Sequence, residues 1–484
     1  MWVRLIKNNA IYAIGSVANS AALFLLIPFL VNFLPTEEFG AWSIYEVIIL
    51  MLGILISAGM DIGLMRHYWF LDNDDGRSTL GGTVIIAVIT WGVILFFILT
   101  LVYWFISRSP WYTQIHLDVF PPFSLFLVYL IGFCETIFSV LLAIFRIREQ
   151  AIHYVALSVG KMILFLAGAI IGERLIGNIN GVLIGRLLAA ILGVIGAGIF
   201  IFKIIRLKFD FHHLSNVLRY GLPLIPANLS SYILISSDRY ILNASSTLTI
   251  VAAYSFAYKI ASALDVLIIR PFATDWAARR FRIAGEDNSQ TKYANIFLVF
   301  FFISSLSVSG LIAFTPILYK LIAPDIYLEG IKVLPIILIA IQIFGLSYPL
   351  NIGLVIKDKT STVAKVGIIS AIFCIAIELW LIPRFGMIGA AWSTLLSYVL
   401  WTVGMTVLSL RVYPIRYNLL KILIIFITMV IGLIGVTLIL QSLSNASVEA
   451  LLISLGWLVF IYGIAGVALV GKFHLKISPK AKSG

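Results

Sequence analysis

The chain has 484 residues, 61% of them hydrophobic and 12% charged, with a mean hydropathy of +1.06 and a net charge of +12. A soluble domain carries about 25% charged residues, so this composition excludes an ordinary soluble fold. Apolar runs of the length needed to cross a bilayer as helix recur along the whole chain, which indicates a polytopic membrane protein.

In chain order the runs predict about fourteen transmembrane helices, near 9–33, 40–65, 80–106, 119–145, 154–172, 179–202, 221–244, 251–274, 293–319, 333–356, 366–382, 387–410, 422–441 and 448–470. They are continuous and not alternating, which favours an all-α bundle over barrel strands. The first span follows Arg4 and Lys7, and Ala18-Asn19-Ser20 resembles a cleavage site. The apolar stretch before that site is very short and the pattern continues to Phe33, so an uncleaved helix is expected. Between the sixth and seventh spans lies a basic linker, with Lys203, Arg206, Lys208 and Arg219 in and beside it.

With the N-terminus inside, cytoplasmic segments hold 24 of the 34 Lys and Arg residues, and the opposite side holds five: Arg108, Arg174, Lys320, Lys332 and Arg384. That bias places both termini in the cytoplasm. It also accounts for the net charge without a nucleic-acid partner, because a basic rim suits an anionic membrane surface.

Every loop is short. No GxxxxGK[ST] or HExxH sequence occurs, so neither a nucleotide motor nor that metal site is encoded. Cys134 and Cys374 fall inside apolar spans and read as small core residues. Asp72-Asn73-Asp74 resembles a metal-binding DxD but sits in a short loop, where a solvated turn is the simpler reading. No enzyme activity and no cofactor is expected.

The remaining cations, Lys161, Arg186, Arg239, Lys259 and Arg270, lie within spans, as do Glu46, Asp61, Glu135, Asp238, Asp265 and Glu378. Each charge costs about 2.5–3.5 kcal/mol at a helix centre, so these residues should face one another or a wet cavity. At helical spacing Lys259, Ser262, Val266 and Arg270 share a stripe, Asn228, Ser231, Asp238 and Arg239 share an arc, and Tyr12, Ser16 and Asn19 form a polar line. Glu135 and Lys161 have similar expected depths and are a candidate pair.

A weak internal repeat appears at a shift of 212 residues, laying 6–20 on 218–232 and Ala41-Trp42-Ser43 on Ala253-Tyr254-Ser255. It predicts a six-helix lobe over 1–206, a linker at 207–218, a second six-helix lobe over 219–411, and two further helices with a basic tail over 412–484. Paired lobes around a central site are a transporter architecture.

FLPTEEFGAWSIYEVIILMLGILISAGMDIGLMRHY (33–68), YGLPLIPANLSSYILISSDRYIL (220–242) and AAYSFAYKI (252–260) resemble the polysaccharide-type, Wzx-like flippases of the multidrug/oligosaccharidyl-lipid/polysaccharide (MOP) superfamily. The resemblance implies a bacterial or archaeal inner-membrane protein that moves a polyprenyl-diphosphate-linked oligosaccharide outward for O-antigen, capsule or exopolysaccharide assembly. It also implies alternating access, a proton or sodium as coupling ion, and proximity to the polysaccharide polymerase machinery. A diphosphate headgroup suits cations on cleft-facing stripes, so Arg239, Lys259 and Arg270 are the expected substrate ligands, with Asn19, Asn228 and Ser231 as polar neighbours. Carboxyls standing away from cations would bind protons, which makes Glu46, Glu135 and Asp265 the coupling candidates. A multidrug-extrusion antiporter and a lipid II flippase are the alternatives within the superfamily. A membrane glycosyl polymerase or ligase would need a larger outward loop than the sequence contains.

Overall fold

The computed structural model describes residues 26–71, 73–109, 112, 120–357, 359–442 and 447–470. Among these residues there are helices and turns and no strand. The helices are α1 (Thr36–Ser57), α2 (Met60–His67), α3 (Asp74–Ser107), α4 (Pro122–Ile147), α5 (Ala151–Ile176), α6 (Ile179–Ile201), α7 (Phe211–Gly221) and α8 (Ile225–Ser245). They continue with α9 (Leu248–Leu264), α10 (Arg270–Ala284), α11 (Ser289–Ile322), α12 (Leu334–Leu350), α13 (Ile352–Ile356), α14 (Thr360–Val412), α15 (Leu419–Ser442) and α16 (Val448–Val470). Among the described residues, eleven helices are long and apolar enough to cross a membrane. Side chains such as Phe97, Leu101 and Phe105 on α3 point outward, an arrangement that lipid stabilises and water does not.

Several spans depart from the sequence expectation, each for a local reason. The first lies mostly outside the described residues, of which 26–33 are helical. The second breaks into α1 and α2 because Ala58 and Gly59 take positive φ (46° and 71°). A side chain at Gly59 would strike the backbone of Gly221, so only glycine fits that bend. The seventh, expected at 221–244, opens with a 3₁₀ turn at Leu222–Leu224 and continues as α8, whose Asn, Ser, Asp and Arg residues keep it outside the apolar set, while α7 occupies the segment before it. The eleventh and twelfth run together as α14, interrupted by Gly386 (φ 55°, ψ −135°), three residues after Pro383.

The eighth span contains a π-helical turn at Asp265–Ile269. Pro271 offers no N–H to the carbonyl four residues earlier, and its ring crowds that carbonyl. The turn widens to accommodate it. The stripe expected from Lys259 to Arg270 assumes uniform helical spacing, and its path crosses this wider turn.

The described residues form two compact units. One comprises those of 1–259 with 322–329 and 367–397, and the other those of 260–321, 330–366 and 398–484. The dividing point at 259/260 differs from the 207–218 linker expected to separate the lobes. In the first unit the linker is docked on α3: Arg206 N–H donates to Ser78 Oγ at 2.7 Å, and Asp210 N–H donates to Thr83 Oγ1 at 3.0 Å. Asp210 then caps α7, accepting from the His212 and His213 N–H groups at 2.8 and 3.2 Å. In the second unit, Trp276, Tyr293 and Ile352 anchor an aromatic core, and Gln342 donates to Ser304 and Ser305 of α11.

Candidate functional site

The first unit places a charge cluster on five helices. Glu46 comes from α1, Glu135 from α4, Lys161 from α5, Arg186 from α6 and Lys259 from α9. The α5–α6 hairpin is held at backbone contact: a Cβ at Gly172 would collide with Gly181 O, and one at Gly185 with Gly168 O. Small residues four apart on both helices permit that approach. Gly177 (φ 72°) ends α5, and the Asn178 side chain caps α6 by accepting from Asn180 N–H at 2.9 Å.

Arg186 is the hub. Its Nε and Nη2 each donate to Glu135 at 3.2 Å as a fork, and its Nη1 stands 3.6 Å from Glu46 Oε1 without a hydrogen bond. The guanidinium lies over Trp42 and Phe165, 5.4 and 5.2 Å from their ring centres. Lys161 Nζ donates to Glu135 Oε1 at 2.9 Å, and Lys259 Nζ donates to Glu46 Oε2 at 2.5 Å. Three cations therefore face two carboxylates. Lys259 is the most accessible member, with 32% of its side chain exposed, against 10% for Arg186.

Arg239 belongs to a separate, enclosed cluster. It donates from its own N–H and from Nη1 to Asp238 Oδ1 at 2.8 and 3.3 Å, and its guanidinium covers the Tyr258 ring at 4.3 Å. Asp238 Oδ2 accepts from Tyr254 Oη at 2.5 Å and from Thr394 Oγ1 at 3.4 Å. Glu378, buried nearby on α14, accepts from Cys374 Sγ at 3.2 Å through Oε1, while Oε2 has no hydrogen-bond partner.

Of the residues singled out in the sequence, Lys259 and Glu46 meet directly, and Glu135 meets Lys161 as its depth suggested. Arg270 pairs with Asp265 at 2.6 Å in the second unit and is largely exposed. Asn19 lies outside the described residues, and Ser231 is half-buried on α8. The premise that Glu46, Glu135 and Asp265 stand away from cations does not describe the structure, since each holds a basic partner. Isolated carboxylates at that depth would be costly, and pairing offsets the cost. The role of Arg186 escaped the sequence reading, although the paired Gly168/Gly172 and Gly181/Gly185 spacings mark the tight hairpin that positions it.

Asn228 and Asp61 line a cavity of about 300 Å³, together with Ser57, Glu135, Thr136 and Ser139. No group of three His, Cys, Asp or Glu side chains suited to a metal occurs among the described residues. Asn73, the centre of the DxD-like triplet, is the N-cap of α3, accepting from Gly76 N–H at 2.8 Å. Both cysteines are free.

This apolar helical architecture is the fold of the MurJ and MATE transporters. The structure titled lipid II flippase MurJ, inward closed conformation, matches with a TM-score of 0.71 at 14% identity, over 97% of this chain and 98% of that one. An inward-facing multidrug resistance MATE family transporter of the MOP superfamily matches at 0.59 and 15% identity, over 82% and 94%. A Vibrio cholerae MATE transporter matches at 0.55 and 13% identity, over 84% and 96%. No curated protein sequence matches significantly. Residues 5–274, more than half of the sequence, match the model of the polysaccharide biosynthesis protein family, and the chain belongs to that family.

Proposed function

We propose that the protein is a flippase that carries polyprenyl-diphosphate-linked oligosaccharide units across the inner membrane for surface-polysaccharide assembly. The observation that carries this reading is the excess cation of the Lys161–Arg186–Lys259 cluster, set among membrane-spanning helices. A diphosphate leaving water needs charge-assisted donors, and a partly open lysine beside a guanidinium supplies them. Membership of the polysaccharide biosynthesis family supports the substrate class, and likeness to a lipid II flippase supports lipid-linked cargo. A cationic drug would be repelled by the same excess, which disfavours the multidrug reading.

In this proposal Lys259 meets the diphosphate and Arg186 and Lys161 supply the surrounding positive field. Arg239 supports Tyr258 next to Lys259, and Arg270 waits on the second unit. The six-helix lobes 1–206 and 219–411 exchange access, and Glu46 is the first choice for the coupling ion because it is shared between Lys259 and Arg186. The test is complementation of a host lacking the protein. Lys259→Gln should insert at normal abundance, block surface-polysaccharide export and accumulate lipid-linked sugar. Normal export by both Lys259→Gln and Arg186→Gln would refute the proposal.

A further inference from the structure

Where α1 and α6 begin and α5 ends, two carboxylates lie together that play no part in the charge cluster. Glu38 stands in the first turn of α1 and Glu173 in the last turn of α5, and the two act on each other electrostatically. Glu38 Oε2 accepts from the Ile179 N–H at 2.6 Å. Glu173 is packed against the first turn of α6, where a Cβ at Gly181 would come 2.9 Å from the Glu173 nitrogen. Glu173 is only 9% exposed, yet among the described residues its carboxylate has neither an ion pair nor a hydrogen-bond donor.

The first turn of α6 has no donor left to offer it. The Ile179 N–H goes to Glu38, that of Asn180 to the Asn178 side chain at 2.9 Å, and that of Gly181 to the Asn178 carbonyl at 3.0 Å. Arg174 is exposed and one residue further on, a spacing at which helical side chains do not face each other. Two neighbouring carboxylates, one of them buried without a donor, repel each other and lose hydration. A cation between them relieves both costs, and an anion would add to the first. Zinc sites draw three or four protein ligands, more than this pair provides, and no group of three such residues occurs among the described residues. Sodium would neutralise only half of the charge. A hard divalent cation suits the pair: Mg²⁺ is held through one or two carboxylates with water completing its shell, and Ca²⁺ takes carboxylates in mono- or bidentate fashion. Glu38 Oε1 and both Glu173 oxygens carry no hydrogen bond among the described residues and are open to it.

We infer that Glu38 and Glu173 form a binding site for a hard divalent cation, Ca²⁺ or Mg²⁺, which ties the start of α1 to the end of α5. In the orientation expected from the basic bias this end faces outward, where calcium modules work at about 10⁻⁴–10⁻³ M. Glu46 lies further along α1 and Lys161 further back along α5, so the cation fastens two of the helices that carry the charge cluster.

The test follows the thermal midpoint of purified full-length protein in EDTA and in CaCl₂ or MgCl₂ up to about 10 mM at constant ionic strength. Wild-type protein should gain about 2 °C, half of it near roughly 1 mM. Glu173→Gln removes the repulsion by itself, so in EDTA it should melt above wild type and gain nothing from either salt. Glu38→Gln, whose amide oxygen can still accept from Ile179, should behave in the same way. Equilibrium dialysis with radioactive calcium should find about one more ion per chain in wild type than in either variant. An equal gain in wild type and both variants, or no gain in wild type with either salt, overturns the inference. A wild-type midpoint that rises on acidification in EDTA, through Glu173 and with no response to either salt, overturns it too, because the pair then shares a proton.

Discussion

The Glu46–Arg186–Glu135 cluster and the Asp238–Arg239–Glu378 cluster use the same side-chain chemistry within one unit, yet they differ in charge balance and access. The first sets three cations against two carboxylates, and two of its lysines keep 19% and 32% of their side chains exposed. The second joins one guanidinium to the Asp238 carboxylate beside the buried carboxyl of Glu378, and its members are 1–7% exposed. In the proposed reading an anion is drawn to the cationic excess of the first, while the second is balanced and enclosed. The pair Asp238–Arg239, conspicuous in the sequence because it breaks an apolar run, lies in the more enclosed of the two. In the proposed reading the cluster held together by Arg186 is the one that meets the substrate.

Substitutions at Arg186 should separate the clusters most sharply. Arg186→Gln leaves Glu135 with Lys161 alone and removes the link to Glu46, a loss in the class of about 3–5 kcal/mol for breaking a buried pair. Abundance and thermal midpoint should both fall, and export with them; unchanged thermal stability would contradict its place as the hub. Next in size is the enclosed cluster. Arg239→Gln alone should lower abundance, and Asp238→Asn/Arg239→Gln should recover it together with export, because the uncompensated charge is gone. A double variant that is abundant but inactive would move Arg239 into the substrate site.

Smaller and more selective is Lys259. As its side chain is partly exposed, Lys259→Gln should keep normal abundance while weakening prenyl diphosphate binding about tenfold, the scale of one charge-assisted hydrogen bond. Lys259→Arg should keep part of the affinity. The smallest effect is expected outside the membrane, at Asp210. The His213 and then the His212 N–H groups hold its carboxyl below the usual aspartate range. With a lowered folded-state value, its contribution is present above the unfolded value and lost as pH falls through the folded one. Asp210→Ala should therefore reduce the thermal midpoint slightly at pH 7, and the difference should vanish in strong acid.

Helix positions were legible wherever an apolar run was continuous, because lipid demands internally satisfied backbone. Breaks were legible only in part. Gly59 forms a bend through close approach to Gly221, a residue far along the chain, and sequence alone does not reveal that contact. The π turn before Pro271 was missed because the stripe was drawn at uniform helical spacing. In the site, Glu135 and Lys161 were paired from their depths, whereas Glu46 met Lys259 across 213 residues and Arg186 across 140. Such contacts depend on helix packing, and the glycine spacing of α5 and α6 was the one local signal that bore on it.

The most direct test of the account is the affinity of purified protein for farnesyl diphosphate, compared between Lys259→Gln and the Asp238→Asn/Arg239→Gln double variant. The account predicts a loss of about tenfold in the first and wild-type affinity in the second. Wild-type affinity in Lys259→Gln, with loss in the double variant, would place the diphosphate at the enclosed cluster and contradict it.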